Sequence, residues 1–190
     1  MLVAGRRWGK THLICIEMLM AAKKPNQKVW YVAPTYSMAK QIAWEKLKEI
    51  MPKSWIAKIN ETSLSIKLVN GSSIHLKGAD RPDSVRGVGI NFLALDEFQD
   101  MKWEIWTAIR PTLSDTRGRA IFIGTPKSYN HLYDFFERGQ SRELQWSQWS
   151  SWQFRTLDSP FIPPAEIAQA RNDMDPKTFR QEYEASFESM

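Results

Sequence analysis

Four short stretches of this chain are apolar runs rather than alternating: Leu2-Val3-Ala4, Val29-Trp30-Tyr31-Val32-Ala33, Ile90 to Leu95 with Asn91 its one polar residue, and Ala120-Ile121-Phe122-Ile123. A strand that is apolar on both sides must be covered on both faces, and that is the condition of strands in a parallel sheet flanked by helices. Between the runs lie segments that read as helices, over Lys10 to Ala22, about Met38 to Met51 with Ser37 as N-cap and Pro52 beyond, Lys102 to Ile109 up to Pro111, and Asn130 to Arg138. Strands alternating with helices in this way predict an α/β fold built on a mainly parallel sheet. The first helix is apolar nearly all round (Leu13, Ile14, Cys15, Ile16, Met18, Leu19, Met20), so it is expected in the interior. Asn70-Gly71 joins two alternating runs, Leu64 to Val69 and Ser73 to Lys77, and predicts a β-hairpin inserted into the α/β order. Leu144 to Phe154 reads as strand-like, and Pro164 to Met190 as two helical stretches broken at Asp175-Pro176.

Composition excludes several classes. The longest apolar stretch is cut by Glu17 and by Lys23-Lys24, so a transmembrane span is ruled out. The N-terminus lacks the apolar length of a signal peptide, and one cysteine, Cys15, cannot form an internal disulfide, which fits a cytosolic protein. His12, His75 and His131 lack metal-ligand spacing. Charge is uneven: residues 1–60 carry 11 Lys and Arg against 3 Asp and Glu, where the whole chain has a net charge of +5. An excess of this kind favours phosphate, of a nucleotide or of nucleic acid.

In an open parallel sheet the chemistry lies where strands end, and three strand ends carry unusual residues. After Leu2-Val3-Ala4 comes Gly5-Arg6-Arg7-Trp8-Gly9-Lys10-Thr11, leading into a helix. Small residues let backbone N–H groups turn onto phosphate oxygens. The lysine then reaches the β and γ phosphates, the hydroxyl meets Mg²⁺, and the positive helix end faces the anion. The first position of this loop, normally glycine, is Ala4 here. Phe92-Leu-Ala-Leu-Asp96-Glu97 ends a buried run in two acids, one suited to the Mg²⁺ shell and the next to the attacking water. Ile121-Phe-Ile-Gly-Thr125-Pro126 sets a threonine at a third strand tip, where it could sense the γ-phosphate, although Gly-Thr-Pro is also ordinary turn chemistry.

Together these motifs resemble the ATPase domain of the large terminase subunit of tailed bacteriophages, the motors that drive double-stranded DNA into an empty capsid. The likeness extends to the Asn70-Gly71 hairpin, the Ser84-Val-Arg-Gly87 loop and the closing Phe179-Arg-Gln-Glu-Tyr-Glu-Ala-Ser-Phe187. It implies a P-loop NTPase of the additional-strand, catalytic-glutamate type over residues 1–190, using ATP and Mg²⁺. By that resemblance Gly5, Arg6, Arg7, Trp8, Gly9, Lys10 and Thr11 form the nucleotide-binding loop. Thr11 and Asp96 meet Mg²⁺, Glu97 is the catalytic glutamate, Arg6 acts on the γ-phosphate, and Thr125 couples hydrolysis to movement. Arg7, Arg86 or a neighbouring subunit could supply the cationic group instead. The resemblance also implies double-stranded DNA, a portal protein and a small terminase subunit as partners, a homo-oligomeric ring, the host cytoplasm as the setting and no membrane. Family members carry an adenine-binding segment upstream and a C-terminal nuclease domain; the expectation is an ATPase portion lacking both, with no DNA-cutting activity. Two other readings stay open at this level, another P-loop DNA translocase or helicase and a nucleotide-binding module that does not hydrolyse. Trp103, Trp106, Trp146, Trp149 and Trp152 are expected to pack in the core or at a domain interface rather than to stack on bases.

Overall fold

A computed structural model describes every residue except 82–84, 86, 189 and 190. Ser84 and Arg86, part of the loop singled out above, therefore lie outside the described residues. The chain divides into two compact units, each made of more than one segment. A central unit comprises Thr11–Asp96 and Asp100–Ile121; a terminal unit comprises Met1–Lys10, Glu97–Gln99 and Phe122–Met190.

The central unit is built on β2 (Lys28–Ala33), whose residues from Val29 onward are almost wholly buried. Two parallel strands flank it, β5 (Ser73–Gly78) with Val29 opposite Ile74, and β6 (Phe92–Leu95) with Val29 opposite Phe92. The hairpin extends this sheet: β4 (Ser65–Leu68) runs antiparallel to β5, and β3 (Ile56–Asn60) antiparallel to β4. Ile66, Leu68, Ile74 and Leu76 form its buried face. The turn needs a left-handed residue, and Gly71 supplies it at φ +85°. Asn70 donates from Nδ2 to the carbonyls of Ala22 and Lys23 at 2.9 and 3.1 Å, fixing the hairpin to the end of the first helix. Strand β3 was not legible in the sequence, because it is an edge strand whose residues are mostly exposed.

Helix α1 (Lys10–Ala22) has the expected bounds but is not an interior helix. It buries Ile14, Cys15, Met18 and Ala22 on one stripe and leaves Ile16 and Met20 39% and 55% exposed. The second helical segment starts earlier than expected. Thr35, not Ser37, is the cap, accepting from the Met38 N–H at 3.1 Å. The segment then runs as α2 (Tyr36–Ala39), one π turn (Lys40–Trp44) and α3 (Glu45–Ile50). Helix α4 (Glu104–Ser114) continues through Pro111, at which the sequence reading stopped it. Burial of Ile109, Thr112 and Leu113 around that proline outweighs one lost backbone hydrogen bond.

In the terminal unit β1 (Leu2–Ala4) is flanked by two parallel strands. Val3 stands opposite Gly124 of β7 (Arg119–Gly124), and Ala4 opposite Phe154 of β8 (Trp152–Phe154). Strand β1 pairs parallel with β7 and β8, and β2 parallel with β5 and β6, which bears out the mainly parallel α/β class. Only the last three residues of the expected 144–154 strand are strand. Leu144–Trp146 is a 3-10 turn, with Leu144 almost fully exposed, and Trp149 turns inward to stack on Phe122 at 5.6 Å. Trp149 is thus half-buried against this aromatic cluster, whereas Trp152 is half exposed. Helix α5 (His131–Gln140) is capped by Asn130 and buries Leu132, Phe135 and Phe136. The chain closes with α6 (Pro164–Asp173) and α7 (Pro176–Glu184), broken where Asp175-Pro176 predicted, with Asp175 capping α7.

Replacing Thr35 by Ala is expected to destabilise the protein by about 1 kcal/mol, whereas Ser37→Ala stays within about 0.5 kcal/mol. Urea unfolding of the two variants checks which residue is the cap.

Candidate functional site

In the terminal unit the loop after β1 is clamped by the C-terminal segment. The Gly5 N–H donates to Phe154 O at 3.0 Å and the Arg6 N–H to Glu182 O at 2.6 Å. The Thr156 hydroxyl donates to Arg6 O at 2.7 Å. Gly5 is required here: a Cβ would lie 2.7 Å from Tyr183 O and 2.8 Å from Thr156 N, both backbone atoms that cannot swing aside. Arg7 takes the left-handed conformation (φ 62°), as does Gly9 (φ 111°), so the loop doubles back before the helix begins. Trp8 stacks on Phe154 with ring centroids 4.7 Å apart and 17° between planes.

Lys10 is buried, and its ammonium donates to the carbonyls of Ala4 and Gly5, both at 2.9 Å. The same Ala4 carbonyl accepts from the Thr125 hydroxyl at 3.3 Å. Thr125 is thereby brought to the end of β1, as the parallel pairing of β1 with β7 requires. Arg6 forms an ion pair through Nε with Glu182, and that bond and charge raise its already high pKa. With its side chain 67% exposed, the pair contributes little to stability. Glu97 sits in the left-handed region at φ 52° and accepts a hydrogen bond from the Gln99 side chain. Phe98 between them is buried against Phe122, Phe135 and His131, and His131 Nε2 lies 2.7 Å from Phe98 O. His131 is thus tied into this aromatic cluster.

In the central unit Asp96 directly follows β6, its N–H donating to Val32 O at 2.9 Å. Its carboxylate is buried and accepts from the Tyr31 hydroxyl at 2.8 Å. Thr11 opens the body of α1 in this unit, half-buried. Both supply hard oxygen donors, the type Mg²⁺ takes when one or two protein ligands are joined by phosphate and water. Among the described residues no group of three His, Cys, Asp or Glu could hold a metal ion. Burial, and next the charge of Asp96, push the Cys15 thiol up to about 12.

Sequence reasoning missed Tyr31, Gln99, Thr156 and Glu182. Tyr31 is a polar-tipped ring in an apolar run and Gln99 stands two residues after Glu97; both are signals of position. Thr156 and Glu182 reach the loop only through tertiary packing, and nothing local marks them.

Residues 1–189 match the family profile described as "Terminase large subunit, T4likevirus-type, N-terminal". The chain belongs to the terminase large subunit family. It is 32% identical to the terminase large subunit of Escherichia phage T5 over 188 residues, covering 96% of this chain and 42% of that protein. To the large subunit of Thermus phage G20c it is 32% identical over 157 residues, covering 71% of this chain and 32% of that one. The chain thus spans less than half the length of these terminase relatives. Its fold is similar to that of the Thermus phage P74-26 large terminase ATPase domain, with a TM-score of 0.83 at 26% identity, over 98% of this chain and 87% of that one.

Two outcomes follow from this geometry. Gly5→Ala is expected to cost about 2 kcal/mol of stability, because its Cβ meets backbone on two sides; urea denaturation measures it. With a pKa near 12, Cys15 has only about one thiolate in 10⁴ at pH 8. Ellman's reagent should leave it unmodified in the native chain and label it fully once the chain is unfolded.

Proposed function

We propose that this chain is the ATP-hydrolysing portion of a terminase large subunit, converting Mg²⁺-dependent ATP hydrolysis into movement of double-stranded DNA into a viral procapsid. The observation that carries this reading is the buried Lys10 ammonium, turned back on the end of β1 within a loop that opens a helix. A buried ammonium is costly unless its donors are satisfied, and a phosphate group is the partner for which such a loop is shaped. Gly5, Arg7, Trp8 and Gly9 give that loop its form, and Lys10 neutralises the β and γ phosphates. Support also comes from a large terminase of a thermophilic bacteriophage that was solved in complex with ADP; at 12% identity the likeness is one of fold.

Thr11 and Asp96 would hold Mg²⁺, which draws charge from the phosphate oxygens when bound. Tyr31 fixes the Asp96 carboxylate by its hydrogen bond. Glu97 orients and deprotonates the attacking water. Arg6 leaves Glu182 for the γ-phosphate, where a cation stabilises the charge of the transferring phosphoryl group; its exposure leaves it free to swing. Thr125 is set to pass loss of that phosphate onward. DNA is held through backbone phosphates without regard to sequence, so its binding weakens steeply with salt. The portal protein, the small subunit and further copies in a ring are the proposed partners, in the host cytoplasm. Among the described residues no helix is long and apolar enough to cross a membrane.

The test is phosphate release from ATP with and without Mg²⁺. Glu97→Ala is expected to lower the rate by about 10²- to 10⁴-fold while nucleotide still binds. Hydrolysis that is indifferent to Mg²⁺, or unaffected by Glu97→Ala, would overturn the assignment.

A further inference from the structure

Gln99 is a polar side chain only 7% exposed, and both ends of its carboxamide are used. Its Nε2 donates to Glu97 Oε2, and its Oε1 accepts from the Thr125 N–H at 3.2 Å. Turning the amide over would set oxygen against carboxylate and NH₂ against N–H, two repulsive contacts, so the observed orientation is the one the neighbours enforce. The fold makes room for it. Gly124 carries no Cβ where one would collide with Gln99 Oε1 and crowd Leu132 Cδ1 at 3.0 Å. Phe98, locked among Phe122, Phe135 and His131, fixes the short segment from the other side.

We propose that Gln99 is a positioning residue, which aims the Glu97 carboxylate and ties it through Thr125 to the phosphate loop. This rests on the hydrolytic reading of Glu97 given above. A neutral amide suits the task. It restrains one carboxylate oxygen without neutralising the charge that makes the group a base, as a lysine or arginine would do. It also holds a side chain whose own backbone is in the left-handed region, a conformation that costs energy for any residue but glycine. Beyond Gln99 the hydrogen bonds are continuous. The Thr125 N–H meets Gln99, the Thr125 hydroxyl meets Ala4 O, and Lys10 Nζ meets the same carbonyl. A phosphate that draws Lys10 off Ala4 O changes what the Thr125 hydroxyl shares, and Gln99 carries any shift of Thr125 to Glu97. Sequence reading gave Thr125 a coupling role; Gln99 is the physical link that role lacked.

The experiment measures steady-state hydrolysis and ATP-γ-S affinity for the chain and for Gln99→Met, Gln99→Glu and Gly124→Ala. Methionine fills nearly the same space without hydrogen bonds; glutamate keeps an oxygen toward Thr125 and loses the donor toward Glu97. Each substitution at 99 is expected to lower kcat by about 10- to 100-fold, with KM and analogue affinity within about twofold. Gly124→Ala, which leaves Gln99 in the sequence but displaces it, should reproduce the loss, and the double variant Gln99→Met with Gly124→Ala should be no worse than Gln99→Met alone. A role in packing alone predicts near wild-type kcat in the two isosteric variants, and that result would overturn the proposal; so would additive losses in the double variant. Amide exchange at Thr125, read without hydrolysis, keeps the two claims apart. It should be about tenfold faster in Gln99→Met than in wild type. Equal exchange in the two proteins refutes the link whether or not the chain hydrolyses ATP. A wild-type chain that binds the analogue without hydrolysing ATP, while Thr125 exchange responds to the substitution, refutes the hydrolytic reading instead.

Discussion

The carbonyl of Ala4 is the atom on which two of the terminal unit's candidate site residues converge. It closes β1, and it receives both the Lys10 ammonium and the Thr125 hydroxyl. Neither contact is accidental. A lysine this buried must have its protons taken up, and the carbonyls of Ala4 and Gly5 at the end of β1 accept from it. The threonine arrives because β7 runs parallel to β1 with Val3 opposite Gly124, so the two strands end side by side. Parallel pairing, fixed by apolar residues on both faces, thus decides which polar residues meet. The same logic applies in the central unit, where Asp96 follows β6 and its N–H still pairs with Val32 of β2.

Adjacent acids with different environments follow from one backbone event. Asp96 still bonds Val32 O through its N–H and turns to the Tyr31 hydroxyl; Glu97 takes φ 52° and turns to Gln99. Had both stayed extended, alternation would have sent them to opposite faces of the sheet. The left-handed residue instead ends the strand abruptly and gives each carboxylate its own partner. Each acid is thus held by a neutral donor of its own, as the proposed division into metal ligand and base requires.

Much of this was legible in the sequence, and the reason is the same for each legible part. Continuous apolar runs, Asn70-Gly71 and Asp175-Pro176 are local signals with local causes, and strands, hairpin and helix break were found where they predicted. The strand–loop–helix setting of Gly9-Lys10-Thr11 was legible because the loop follows an apolar run and opens a helix. What failed were elements governed by their surroundings. Helix α4 passes Pro111 because its neighbours are buried, Leu144 to Ser151 is not strand because Trp149 is needed against Phe122, and β3 exists only as an edge to β4. Within the site, Arg6 and Glu182 stand 176 residues apart in sequence. No spacing rule reaches that far.

The central claim is that Lys10 is buried in order to meet phosphate. Calorimetric titration of Mg²⁺·ADP into the chain and into Lys10→Met addresses it directly, since methionine keeps the length and removes the charge. The account predicts that the chain binds and that the variant binds at least about tenfold more weakly, the effect of losing one charged hydrogen-bond partner in a buried site. Equal affinity in the two proteins, or no affinity in a folded wild-type chain, would contradict it.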